Sequence, residues 1–143
     1  MAITHKAPQA QPRALTPAGT WGRNTKVYAK FEPSADKALV QNEKVAMCLI
    51  PAHSRVDDLR YVMDDIGEST AIQIGYESVD GSPVDADYFA TEADTASPTS
   101  GRTSASPITF TKDTWITATQ TADATADEGS IEIVVDYEFL GNP

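Results

Sequence analysis

The chain reads as an all-β protein, an antiparallel sandwich or barrel. Three observations predict this. Its apolar segments are filled by Val, Ile, Thr and aromatic residues while Leu is scarce, which suits a pleated, half-buried surface better than a helix. Seven or eight short segments alternate apolar and polar residues with the period of two that marks a strand. Turn-forming residues separate these segments at regular intervals, as in sandwiches and barrels. The sequence holds no internal repeat and no heptad pattern.

At 143 residues the chain is long enough for one domain with a substantial core. We expect a β-domain over residues 21–143 preceded by an extended arm over 1–20. The arm is rich in Pro, Ala and Gln, with Pro8, Pro12 and Pro17, and its composition offers too little apolar surface to order itself. It should be fixed only where a neighbour holds it. Residues 1–37 carry six basic residues against two acidic, a net charge of +4. The remainder carries five against nineteen, −14, and the whole chain is at −10. Such asymmetry suits a leader that docks on an acidic surface, or one that is simply solvated. The acidic body lacks the basic footprint of a nucleic-acid binder, so no direct nucleic-acid contact is expected. No apolar run approaches the roughly 18–20 residues that span a bilayer, and no membrane contact is expected. The N-terminus lacks the apolar core of a signal peptide, so we expect synthesis in a cytoplasm without export by that route.

The elements follow in order. Residues 26–31 place Val27, Ala29 and Phe31 on one face of a first strand, which Pro33-Ser34-Ala35-Asp36 breaks. Leu39 and Val40 extend the pairing. Residues 45–50 are apolar throughout, which suits a strand covered on both faces, and Pro51 ends it. A short turn, Pro51-Ala52-His53-Ser54, leads into residues 56–63. There Leu59, Tyr61 and Met63 share one side and Arg60, Val62 and Asp64 the other, although Val56, Leu59 and Met63 also fit helical spacing. These two segments organise the rest of the chain.

After a turn at Asp64-Asp65-Ile66-Gly67-Glu68, residues 71–77 alternate with Ile72, Ile74 and Tyr76 on one face. Asp80-Gly81 is a tight-turn signal. Tyr88 and Phe89 should anchor a loop on the core. Residues 90–106, rich in Thr, Ser, Ala and Asp, read as a long surface loop. Short strands follow at residues 108–110 and 115–121, and Asp127-Glu128-Gly129 turns the chain. Ile131, Ile133, Val135, Tyr137 and Phe139 then give the clearest alternation of all. They should face one core, turning Glu132, Asp136 and Glu138 away with Val134 and Leu140 exposed among them. Two apolar residues on an acidic face mark Val134 and Leu140 as candidate subunit contacts.

Chemistry is sparse. His5 and His53 are the only histidines, and nothing places either in a triad of nucleophile, base and orienter. No phosphate loop, paired-Cys zinc pattern or HExxH helix is present, and no catalytic residue, cofactor or metal site is expected. Asp80, Asp85 and Asp87 could gather oxygen ligands for calcium but lack the spacing of an EF-hand. Cys48, the single cysteine, reads as a small core residue and excludes an intramolecular disulfide. Trp115 and Tyr88 could stack on sugar, though a sandwich usually buries such aromatics.

The run LIPAHSRVDDLRYVMDD, then IQIGYESVDG, DADYF and PITFTKDTWITATQTADATADEGSIEIVVDYEF, resembles small structural proteins of tailed-bacteriophage virions, in particular capsid decoration or cement proteins. The likeness spans roughly residues 39–140. It implies a jelly-roll-like β-sandwich, no enzymatic activity, and a place on the outer surface of the virion capsid after synthesis in the host bacterial cytoplasm. The implied partners are the major capsid protein and other copies of this chain, as a trimer or a dimer. A cement subunit bridges adjacent capsomers and stabilises a head that packed DNA pushes outward. Interfaces of about 800 Å² per partner become strong in sum when many copies bind. An arm that orders on binding covers much surface, so Arg13, Trp21 and Arg23 become candidate capsid contacts, being residue types common at interface anchors. The runner-up is a receptor- or carbohydrate-binding module of a fibre or tail, using the 90–106 loop and exposed aromatics.

Overall fold

The computed structural model describes residues 3–7 and 24–141. These form ten strands: β1 (Ile3–Lys6), β2 (Asn24–Phe31), β3 (Lys44–Ile50), β4 (Ser54–Met63), β5 (Ala71–Ser78), β6 (Val84–Asp94), β7 (Thr99–Arg102), β8 (Ile108–Phe110), β9 (Thr114–Gln120) and β10 (Ile131–Phe139). They build two sheets, one ordered β1-β3-β9-β5-β6 and the other β2-β10-β4-β7, with β8 also on β4. All pairings are antiparallel except β1 with β3. The result is the expected jelly-roll-like β-sandwich.

Among the described strands only one consecutive pair, β5 and β6, forms a hairpin. Most other connections cross between the sheets, which is how the chain encloses one core. The turn at 51–54 is such a crossing: it carries the chain from β3 in one sheet to β4 in the other. His53 makes the bend in the left-handed region, with φ at 64°. Its N–H donates to the Phe110 carbonyl at 2.7 Å.

The core lies between the inner faces. Met47, Ile50, Leu59, Met63, Ile72, Ile74, Ile116, Ile131 and Val135 are among its fully buried members. β3 is buried along its whole length, as an uninterrupted apolar strand should be. β10 buries Ile131, Ile133, Val135 and Tyr137 and half-buries the residues between them. On β4 the alternation is broken by a bulge: between the pairs Asp136–Asp58 and Tyr137–Val56, β10 advances one residue and β4 two. Val56 and Leu59 therefore both reach the core, three residues apart in a strand. That spacing is what gave residues 56–63 their helical look.

Three segments depart from the sequence reading. Residues 3–6, placed in the unheld arm, pair with Lys44–Ala46 of β3, and Ala7 is buried with its N–H on the Ala46 carbonyl at 2.9 Å. Backbone pairing holds this segment although it has few apolar side chains. Residues 90–106 are not a structureless loop: β6 runs to Asp94 and Thr99–Arg102 forms β7 against β4. Thr and Ser suit the outward face of an edge strand, so their polarity misled. Tyr88 and Phe89, expected in a loop, also belong to β6.

β6 carries a larger bulge. Between the pairs Ile74–Ala90 and Tyr76–Asp85, β5 advances two residues and β6 five. The excess backbone packs back over Gly75, where a Cβ would lie 2.0 Å from the Asp85 carbonyl oxygen. The bulge sets Phe89 into the core and Tyr88 edge-on against Tyr76.

Candidate interaction surface

The described residues assemble no catalytic or metal constellation. His5 lies on β1, with Nε2 3.5 Å from a Glu43 carboxylate oxygen and its ring 5.9 Å from that of Phe31. His53 sits in the inter-sheet turn. No three His, Cys, Asp or Glu side chains among the described residues converge as a metal cage. Burial pushes the Cys48 thiol up to about 12, so the reactive thiolate is suppressed, as its reading as a core residue requires. No helix among the described residues is long and apolar enough to cross a membrane.

The acidic turn is held by its own contacts. Asp80 accepts hydrogen bonds from Lys112 Nζ at 2.8 Å, Ser78 Oγ at 2.9 Å and the Ser82 N–H at 3.2 Å. These bonds, that from Lys112 first, hold its carboxyl down at about 2. Asp85 moves the other way, raised by burial and by neighbouring Asp87. A depressed carboxyl stabilises the fold above its unfolded pKa, and the gain is lost as pH falls through the folded value. The melting difference between the wild type and Asp80→Asn should therefore be constant above about pH 5 and shrink steadily toward pH 2. Thermal melts across that range check it.

The outer face of the β2-β10-β4-β7 sheet is the more open surface. Val134 lies mid-strand, half-buried, opposite Tyr28 on β2 and Arg60 on β4. Tyr28 is 50% exposed and Val62 41%. The Tyr28 hydroxyl donates to the Glu132 carboxylate, which raises the phenol's pKa. Ion pairs lace the same sheet: Arg55 joins Asp57 at 2.6 Å and Glu138 at 2.7 Å, and Arg102 joins Asp58 at 3.2 Å. Leu140, 40% exposed, lies past the end of β10, where its N–H donates to the His53 carbonyl at 2.9 Å. Six residues of strand put it about 20 Å from Val134, so the two do not form one patch. Arg13, Trp21 and Arg23 lie outside the described residues.

Of the two aromatics considered for sugar stacking, Trp115 is buried and Tyr88 half-buried. Trp115 is 7% exposed and Lys6 Nζ lies 4.8 Å from its ring centroid. The Tyr88 hydroxyl donates to the Ser106 carbonyl at 2.9 Å. Sequence reading missed Tyr28, Arg60, Val62 and Arg102 on the open face. The alternation of residues 56–63 put Arg60 and Val62 on one side, but nothing in the sequence showed that β2 and β7 would join them there.

Comparison with solved structures gives the fold independent support. The chain is similar to one from the capsid of Ralstonia phage GP4, with a TM-score of 0.75 at 14% identity, over 99% of this chain and 100% of that one. A chain of the cyanophage Pam1 capsid asymmetric unit matches with a TM-score of 0.66 at 16% identity, over 88% and 91%. A chain of the acid-stable capsid of Helicobacter pylori bacteriophage KHP30 matches with 0.55 at 16% identity, over 83% and 95%. The likeness is one of fold. No protein-family model matches the chain, and no curated protein does.

Proposed function

We propose that this chain is a non-enzymatic virion structural protein of the cement type. In this reading it binds the outer surface of a phage capsid and bridges capsomers to stabilise the head. The observation that carries the reading is the end-to-end match with the Ralstonia phage GP4 capsid chain, in which two chains of nearly equal length share one fold. A small sandwich with no convergent chemical groups among its described residues fits a mechanical task. The open face around Tyr28, Val62 and Val134 is the surface assigned to the major capsid protein. It mixes an aromatic anchor with arginines and aliphatic residues, the composition of an interface centre. The burial of Trp115 and the engagement of the half-buried Tyr88 through its hydroxyl count against the carbohydrate-binding alternative.

The test is to image the virion at a resolution that locates this chain, and to heat heads assembled with and without it. Density on the outer shell across capsomer seams is expected, with DNA released at a lower temperature from heads that lack the chain. A position in a fibre or tail, or unchanged release, would overturn the proposal.

A further inference from the structure

On the open sheet face two arginines stand side by side. Arg60 on β4 is the direct cross-strand partner of Arg102 on β7, and both are exposed. Like charges set directly opposite each other oppose the pairing of their strands. The register is held nonetheless. A Cβ at Gly101 would run into the Tyr61 hydroxyl, so the glycine lets β7 lie close under that ring, and the Thr103 N–H continues the ladder to the Leu59 carbonyl at 2.9 Å.

The chain has 21 acidic residues against 11 basic ones, so an arginine without an acidic neighbour stands out. Arg60 forms no ion pair among the described residues. The acids on this face are engaged elsewhere. Asp58 meets Arg102 Nε with one carboxylate oxygen at 3.2 Å and accepts the Leu59 N–H on the other at 2.9 Å. Glu132 accepts from the Tyr28 hydroxyl, and Asp136 lies 3.9 Å from Lys26 Nζ. Arg102 uses its Nε on Asp58, yet its side chain stays 68% exposed.

Around the pair lies a hollow of about 400 Å³ lined by Arg60, Arg102, Val62, Ser100 and Gly101. No carboxylate lines it. A guanidinium fork matches a carboxylate with two parallel hydrogen bonds, and an anion between two forks replaces their repulsion with attraction. Val62 on β4 and Val134, opposite Arg60 on β10, set apolar surface beside the forks. That mixture fits a protein side chain. A nucleic-acid backbone calls for a broad basic footprint, which a face also bearing Asp58, Glu132 and Asp136 lacks.

We propose that Arg60 and Arg102 form a carboxylate seat, which clamps an Asp or Glu side chain of a partner protein docked on this face. The chemistry of the seat is inferred from this chain alone. That the docked partner is the capsid rests on the function proposed above.

The test is a titration of the full chain, followed through the Nε–Hε nuclear magnetic resonance signals of Arg60 and Arg102. The probe is a capped peptide of alternating Glu and Val. It should shift both signals, and its Gln counterpart should shift neither. Arg60→Gln should lower the peptide's affinity by about tenfold or more. The same variant should melt no lower than the wild type, because it removes a like-charge pair. No shift, equal shifts with the Gln peptide, or an Arg60→Gln chain that melts well below the wild type would each overturn the seat. Inorganic phosphate at matched ionic strength is the second probe, and a stronger response to it than to the peptide would overturn the carboxylate assignment. Decoration of heads then tests the partner. Arg60→Gln should bind heads about tenfold more weakly, and unchanged decoration beside a clear peptide response would overturn the capsid as the occupant of the seat.

Discussion

Gly75→Ala is expected to destabilise the fold by about 3 kcal/mol or more, a large share of the total stability of a domain this size. The reason is contact between backbones. A methyl group at this position would sit 2.0 Å from the Asp85 carbonyl oxygen and 2.3 Å from the Ala86 carbonyl carbon. No side chain can rotate away to make room, so the β6 bulge must lift. That bulge carries Tyr88 and Phe89 into an aromatic cluster in which Tyr76 lies 5.0 Å from Phe110, 5.5 Å from Tyr88 and 6.4 Å from Phe89 between ring centroids. Lifting it draws Phe89 from a site where it is 4% exposed. Gly81→Ala is the control. Gly81 has φ at 93°, but a Cβ there meets nothing within 4 Å, so only backbone strain of about 1–2 kcal/mol opposes it. Urea denaturation of both variants checks the order. If Gly75→Ala melts within experimental error of the wild type, the close packing of the bulge on β5 is wrong.

These two glycines also show what the sequence could and could not reveal. Gly81 follows an aspartate between two alternating runs, and local turn chemistry alone identifies it. Gly75 interrupts a strand, and the need for it comes from the backbone of Asp85 and Ala86, which only the folded register brings near. The same division runs through the whole fold. Strand β10 is legible because one face lies on the core and its burial alternates through Tyr137, and β5 because Ile72, Ile74 and Tyr76 alternate in the sequence although its burial does not. β3 is legible because both its faces are covered. β4 is half legible, since the bulge at Asp57–Asp58 shifts the inward set by one residue and mimics a helix. β1 and β7 are the hardest, because edge strands are held by backbone hydrogen bonds that leave little mark on composition.

The interaction surface was less legible than the fold. Charge asymmetry along the chain is visible in the sequence as a basic leader against an acidic body. Pairing also decides which charges are spent. Asp80 is engaged by Lys112, whereas Asp87, seven residues later, meets no Lys or Arg among the described residues. No spacing rule separates these two aspartates. Likewise Val134 was legible as an outward apolar residue, but its neighbours Tyr28 and Arg60 come from strands about 106 and 74 residues earlier in the chain.

The two faces of β10 should therefore respond differently to substitution. Val135 is fully buried between Val27 on β2 and Leu59 on β4, so Val135→Ala should cost about 1–3 kcal/mol through lost burial and the cavity left behind. Val134→Asp places a carboxylate on the open face, opposite the Arg60 guanidinium and in line with Glu132 and Asp136. Water reaches that face and Arg60 is a favourable neighbour, so the fold should survive with a change within about 0.5 kcal/mol. The same carboxylate sits at the centre of the patch assigned to the capsid. Docking would strip water from that carboxylate and from Arg60, a cost their pairing does not repay in full, and should weaken binding to heads by about tenfold or more. Thermal melts and co-sedimentation with heads separate the two effects. An unfolded Val134→Asp beside an unaffected Val135→Ala would mean that the two faces of the strand are reversed. A folded Val134→Asp that still decorates heads at wild-type affinity would move the capsid contact off this sheet.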